Sequence, residues 1–152
     1  MIISFIGHSS VLSQNKIRNM VKEQITRLIS SNESVVCYLG GHGDFDEVCA
    51  GACRELKREN YRMELVYVTP YLNTSAQRKI KELIFAREYD SSLYPPIEKA
   101  PLKFAISKRN EWMMKNSDVI IAYVDHSWGG AFRSLKFAIA AKKKIINICN
   151  YV

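Results

Sequence analysis

The chain has 152 residues, 47% of them apolar and 24% charged, ordinary globular usage that excludes a disordered tail, a collagen and a coiled coil. That length predicts one domain, 1–152, burying roughly 68–70% of its extended surface without help from disulfides or a metal. With 22 Lys and Arg against 15 Asp and Glu, the net charge of +7 favours anionic partners such as nucleotides, phosphosugars or nucleic acid, although the basic residues are not gathered in a stripe.

The start, Met1-Ile2-Ile3-Ser4, lacks the basic residues and cleavage site of a signal peptide. The longest apolar run, Val119 to Val124, is six residues, against roughly 20 needed to span a bilayer. A soluble, cytoplasmic protein with no membrane partner is expected.

In chain order, Ile2 to Ile6 reads as a buried strand ending at Gly7. Ile17, Met20, Val21, Ile25, Leu28 and Ile29 recur at helical steps. Val35 to Leu39 is a second strand, closed by Gly40-Gly41. Asp44 or Asp46 caps the next helix, whose apolar face is Val48, Cys49, Ala52, Cys53 and Leu56. Leu65 to Val68 is a third strand, followed by a helix after Asn73. Arg87 to Pro101 is a long loop, a length often used for lids. Ile106 to Asn116 is helical, and on it Arg109 and Trp112 could be surface and core respectively. Asp118 to Val124 is a fourth strand, and a helix through Leu135 to Ala141 leads to a fifth, Ile145 to Cys149. Cys37, Cys49, Cys53 and Cys149 contain no Cys-x-x-Cys pair and read as free thiols.

Strands alternating with helices predict an α/β, Rossmann-like, doubly wound and mostly parallel sheet of five strands flanked by helices. The expected order is 3-2-1-4-5, with the first and fourth strands meeting at the topological switch point. Every parallel strand ends on the same edge. Gly7-His8, Gly40-Gly41-His42-Gly43 and Gly129-Gly130 all follow strands, so they are expected to converge there. Glycine permits close backbone approach, and a helix start offers free N–H donors to phosphate. The second turn runs into Asp44, Asp46 and Glu47. Adjacent residues do not share a helix face, so at most one of Asp46 and Glu47 faces a ligand.

Three blocks carry a resemblance. Phe5-Ile6-Gly7-His8 resembles an F-T-G-H-R opening. Gly40 to Glu47 resembles G-G-x-x-G-x-D and P-G-G-x-G-T-x-x-E blocks. Lys108 to Met113, then Ser117 to Tyr123 and Gly129-Gly130, resembles an R-N-x-x-M/I, S-D-x-x-I-A, G-G-T series. Together these resemble the SLOG superfamily, the Rossmann-like group uniting Smf/DprA proteins, the Lonely-guy (LOG) phosphoribohydrolases and small YpsA-like proteins, with the YpsA-like members the most similar. The resemblance implies a nucleotide or nucleotide-sugar ligand. Gly40, Gly41 and Gly43 would hold phosphate or ribose, Arg109 would face the ligand, and Glu47 would fall at the LOG catalytic glutamate. Gly129 and Gly130 would form the second phosphate-side turn, and Asp125 matches an acid of the YpsA-like members. The chain departs from these patterns at Ser9, Leu39 and Asp44.

Gly7, His8, His42, Asp44, Trp128 and Arg133 complete the expected ligand-binding set, Trp128 by stacking on a base. Ser10, Ser13, Thr69, Tyr71 and Asn73 also follow strand ends. The leading expectation is a sensor or sequestering module for a nucleotide or ADP-ribose-like ligand, working as a homodimer with no cofactor and no metal. The alternative is an N-glycoside-cleaving enzyme using Glu47 or Asp46, by the carboxylate logic of glycosidases. Single-stranded DNA binding ranks third.

Overall fold

The computed structural model describes residues 1–30 and 33–151. Strand β1 is Ile2–Gly7, helix α1 Gln14–Leu28, β2 Ser34–Leu39, α2 Asp44–Arg58, β3 Arg62–Val68 and α3 Thr74–Phe85. Then come β4, Ser91–Leu93, α4, Ala105–Lys115, β5, Val119–Tyr123, α5, Gly129–Ala140, and β6, Lys144–Asn147. The six strands form one sheet of order β4-β3-β2-β1-β5-β6, parallel throughout. Among the described residues, no helix is long and apolar enough to cross a membrane.

The central order agrees with the expectation, and β4 is an added sixth strand at the edge. It lies inside the stretch read as a loop. Ser91 and Ser92 give it no apolar run, so its pairing depends on Asp90. The Asp90 amide donates to the Leu65 carbonyl at 2.9 Å, and the Asp90 carboxylate accepts the Leu65 N–H at 2.8 Å. The last strand also ends earlier than expected, and a 3-10 turn, Ile148–Tyr151, takes over. The Asn147 side chain causes this, because its amide bonds both the N–H and the carbonyl of Val124 in place of further backbone pairing.

Side-chain alternation divides β1 between two cores. Ile3 and Phe5 join Ile17, Val21, Ile25, Val48, Cys49 and Cys53 beneath α1 and α2. Ile6 joins Met114, Ile120 and Ala138 beneath α4 and α5. Helices therefore cover both faces, as continuous apolar parallel strands require. Cys37, Cys49 and Cys53 are free and buried within the first core, where burial and their mutual contact push the Cys37 and Cys49 thiols up.

Candidate functional site

The cleft opens at the C-terminal edge, over the ends of β1 and β5, where the strand order reverses direction. It has two lobes that share His42, Ile106 and Arg109. The larger, about 510 Å³, is lined by the end of β1 from Phe5 to Ser10, by Asp46 and Asn110, and by His126, Trp128 and the first turn of α5. The smaller, about 270 Å³, lies between the Gly40-Gly41 turn and the start of α3.

Arg109 forms the shared floor. It is 1% exposed, which sets aside the surface alternative. Trp112, half-buried, packs against Tyr38 at a centroid distance of 5.5 Å. Arg109 Nη1 donates to the Val68 carbonyl at 2.7 Å and to the Gly40 carbonyl at 3.0 Å. Its Nε donates to Asn110 Oδ1 at 2.8 Å. The arginine thus ties the ends of β2 and β3 together while lining both lobes. Burial lowers its pKa, opposed by the Asp46 carboxylate.

The acids at the start of α2 separate by function. Asp44 Oδ2 accepts the Val11 N–H at 3.0 Å, and the Asp44 amide donates to the Ser9 carbonyl at 2.9 Å. This residue fastens the loop after β1 and does not line either lobe. Glu47 lines a different groove, with Arg18, Arg54 and Arg58. Among the described residues, Asp46 is the one carboxylate lining the larger lobe. Its Oδ2 accepts the His42 N–H at 2.9 Å and so closes the glycine turn. Enclosure by protein raises its pKa to about 6, a rise that the His42 hydrogen bond and Arg109 restrain.

Most of the glycines serve the chain's own packing. A Cβ on Gly7 would meet the Phe45 ring at 2.2 Å, one on Gly41 (φ 62°) the Tyr67 ring at 2.2 Å, and one on Gly43 (φ 96°) the Ser9 backbone at 2.8 Å. Gly40 is backed by Arg109 and Asp46. Gly129 is different: at φ 87° it faces open space, beside Gly130 at the start of α5. This helix has no side-chain cap and no acid in its first turn, so its leading N–H groups open on the larger lobe. The start of α2, by contrast, carries three acids of its own.

A ring stack forms one wall of the larger lobe. His8 and His126 lie 3.8 Å apart between centroids, 13° from parallel, and His126 and Trp128 lie 3.9 Å apart at 21°. Trp128 ends the stack and is 68% exposed. Asp125 lines neither lobe. Its amide donates to His8 Nε2 at 3.1 Å, and its Oδ1 lies 2.9 Å from the same nitrogen, ready to pair when the ring is protonated. Burial and His126 lower the His8 pKa, opposed by Asp125. Among the described residues, His8, Asp125 and His126 are the one group whose donor atoms gather as metal ligands would. A metal held by two imidazoles lies near both ring planes, and stacked, nearly parallel rings share no such point. The group fits a stack, and one ring must turn before it can act as a metal centre. Arg133 stands outside the cleft, in the groove between α4 and α5.

Of the expected residues, Gly7, His8, Gly40, Gly41, His42, Asp46, Arg109, Trp128, Gly129 and Gly130 line the two lobes. Gly43, Asp44, Glu47, Asp125 and Arg133 do not. Tyr67 and Lys79, which sequence reasoning passed over, line the smaller lobe. The end of a buried strand and the second turn of the next helix were the signals for them.

Sheet order and edge cleft define a Rossmann-like α/β domain. Similar solved structures include DNA processing protein A (DprA) from Streptococcus pneumoniae, with TM-score 0.63 and 17% identity over 94% of this chain and 48% of that one. DprA from Helicobacter pylori, described for its single-stranded DNA binding mode, gives 0.60 and 16% over 95% of this chain and 63% of that one. The molybdenum cofactor carrier protein of Chlamydomonas reinhardtii gives 0.57 and 16% over 95% of this chain and 73% of that one. The chain therefore spans about half the length of the pneumococcal DprA. At these identities the likeness is one of fold. No family model and no curated protein matches the chain.

Proposed function

We propose that this domain binds a nucleotide-type ligand in the larger lobe, as a sensor or sequestering module. The phosphate sits at the start of α5 and the base lies against Trp128. One observation carries the reading: a single cleft joins an uncapped, acid-free helix start to an exposed tryptophan face. Helix N–H groups take a phosphate, and an aromatic face takes a base of any identity. Arg109 adds fixed positive charge below. The order of the three sequence blocks, together with a fold shared with DprA and the molybdenum cofactor carrier, supports a SLOG-type, YpsA-like module. The position of Glu47 in another groove argues against LOG-type hydrolysis. N-glycoside cleavage would fall to Asp46 alone.

Single-stranded DNA is the second reading. It is favoured by the exposed Trp128 face, which accepts a nucleotide within a strand as readily as a free one, and by the fold shared with a DprA described for that activity.

Equilibrium binding of mononucleotides, NAD and ADP-ribose, with chromatography for free base, tests the proposal. Binding without base release is expected, weakened about tenfold in Trp128→Ala, the scale of one lost base stack. No binding at millimolar ligand would overturn it. Base release abolished by Asp46→Asn would select the enzyme.

A further inference from the structure

The smaller lobe is not needed to hold a mononucleotide in the larger one, yet it is built for an anion. Among the described residues, its lining includes two cations, Lys79 and Arg109, the phenols of Tyr67 and Tyr71, and no carboxylate. Among the described residues no acid pairs with Lys79; its ammonium stands 5.9 Å above the Tyr67 ring. Helix α3 begins at the lobe with no acid in its first turn. Asn73 Oδ1 accepts only the Ala76 N–H, at 2.8 Å. The second signal is Arg109. Its side chain is 1% exposed and lines the lobe, with Nη1 and Nε donating to protein acceptors. Nη2 lies against Gly40, where a Cβ would come within 3.0 Å. A cavity of about 270 Å³ is below the ~300–1,000 Å³ usual for a whole small molecule, and suits one charged fragment.

We infer that the smaller lobe is a subsite for a second phosphate of the same ligand, reached across the Gly41-His42 saddle. The ligand class is then two phosphates joined through a nucleoside, as in a dinucleotide or a segment of a strand. This inference rests on the nucleotide reading of the larger lobe. Lys79 and the start of α3 hold the second phosphate, and Arg109 serves both lobes from below.

The test compares pdA, pdApdA and p(dA)6 on the intact chain and on Lys79→Glu. Lys81→Glu, on the exposed side of α3 and outside the lobe, controls for general charge. The expected result is that pdApdA binds at least about tenfold tighter than pdA, on the scale of one added charged contact. Lys79→Glu removes that increment, leaves pdA binding unchanged, and Lys81→Glu leaves both unchanged. If p(dA)6 binds tighter still, the source is a strand; if it equals pdApdA, the source is a free dinucleotide. Equal affinity of pdA and pdApdA, or equal loss of both in Lys79→Glu, overturns the inference. Failure of pdA itself to bind defeats the nucleotide reading, a different outcome.

Discussion

Arg109 supports Gly40 from beneath: its Nη1 donates to the Gly40 carbonyl at 3.0 Å, and a Cβ on Gly40 would crowd the guanidinium at 3.0 Å. The floor of the cleft and the junction of two strand ends are therefore the same contact. Replacing Arg109 by Met leaves the Gly40 and Val68 carbonyls without their charged donor. Stability is expected to fall by about 2–4 kcal/mol, read as a lower urea midpoint at unchanged slope. Arg109→Lys keeps the charge but loses the fork, and recovers less than half of that loss.

Glycines at the cleft divide into two kinds, and alanine separates them. Gly7→Ala drives a methyl into Phe45, a fully buried ring, and is expected to cost about 3 kcal/mol. Gly130→Ala meets nothing nearer than the Arg133 guanidinium at 4.0 Å. It should keep the melting temperature within about 2 °C while weakening nucleotide binding by crowding the start of α5. A Gly130→Ala protein that unfolds would assign this glycine to packing as well.

Asp46 makes stability and binding depend on pH. Its folded pKa of about 6 lies above the unfolded value of about 3.9. Between those values the folded state holds the extra proton, so stability falls as pH rises from about 4 to above 6. Asp46→Asn still accepts the His42 N–H and removes this slope, and should be more stable than the parent at pH 7 by about 1–2 kcal/mol. Protonated Asp46 also repels an anion less, so nucleotide affinity should rise as pH falls from 7 to 5. His8 lines the same lobe and adds to the trend. The part removed in Asp46→Asn belongs to the carboxylate.

The two outer acids of α2 should behave oppositely. Asp44→Ala loses the acceptor for the Val11 N–H, and is expected to lower stability by about 1–2 kcal/mol. Glu47→Gln, in a separate groove, should leave both stability and nucleotide affinity unchanged. A large loss of activity or binding in Glu47→Gln would restore it to the site.

Much of the fold is written in local pattern. Ile2 to Ile6 and Val119 to Val124 are continuous apolar runs because parallel strands are buried on both faces, and that made β1 and β5 legible. Three residues with two serines, Ser91 to Leu93, carry no such pattern. β4 exists because Asp90 meets Leu65, a pairing that local composition does not encode. The site was harder to read. A glycine shows that something comes close, but not what: at Gly7 and Gly41 it is Phe45 and Tyr67, and only at Gly129 is the space open. The sequence leaves Arg109 as either a surface residue or a ligand contact, and neither reading has it bridging strand ends. The carbonyls that hold Arg109 in the core come from Gly40 and Val68, distant in sequence and invisible to periodicity.

The central claim is that the phosphate of a nucleotide rests on the start of α5. Titrating ¹⁵N-labelled protein with 5′-AMP and following amide shifts tests it most directly. The account predicts that the largest saturable shifts fall on Gly129, Gly130 and Ala131, with the Trp128 indole N–H moving at the same ligand concentration. Shifts confined to the Gly41 to Gly43 turn, or to α2, with the start of α5 unmoved, would contradict it.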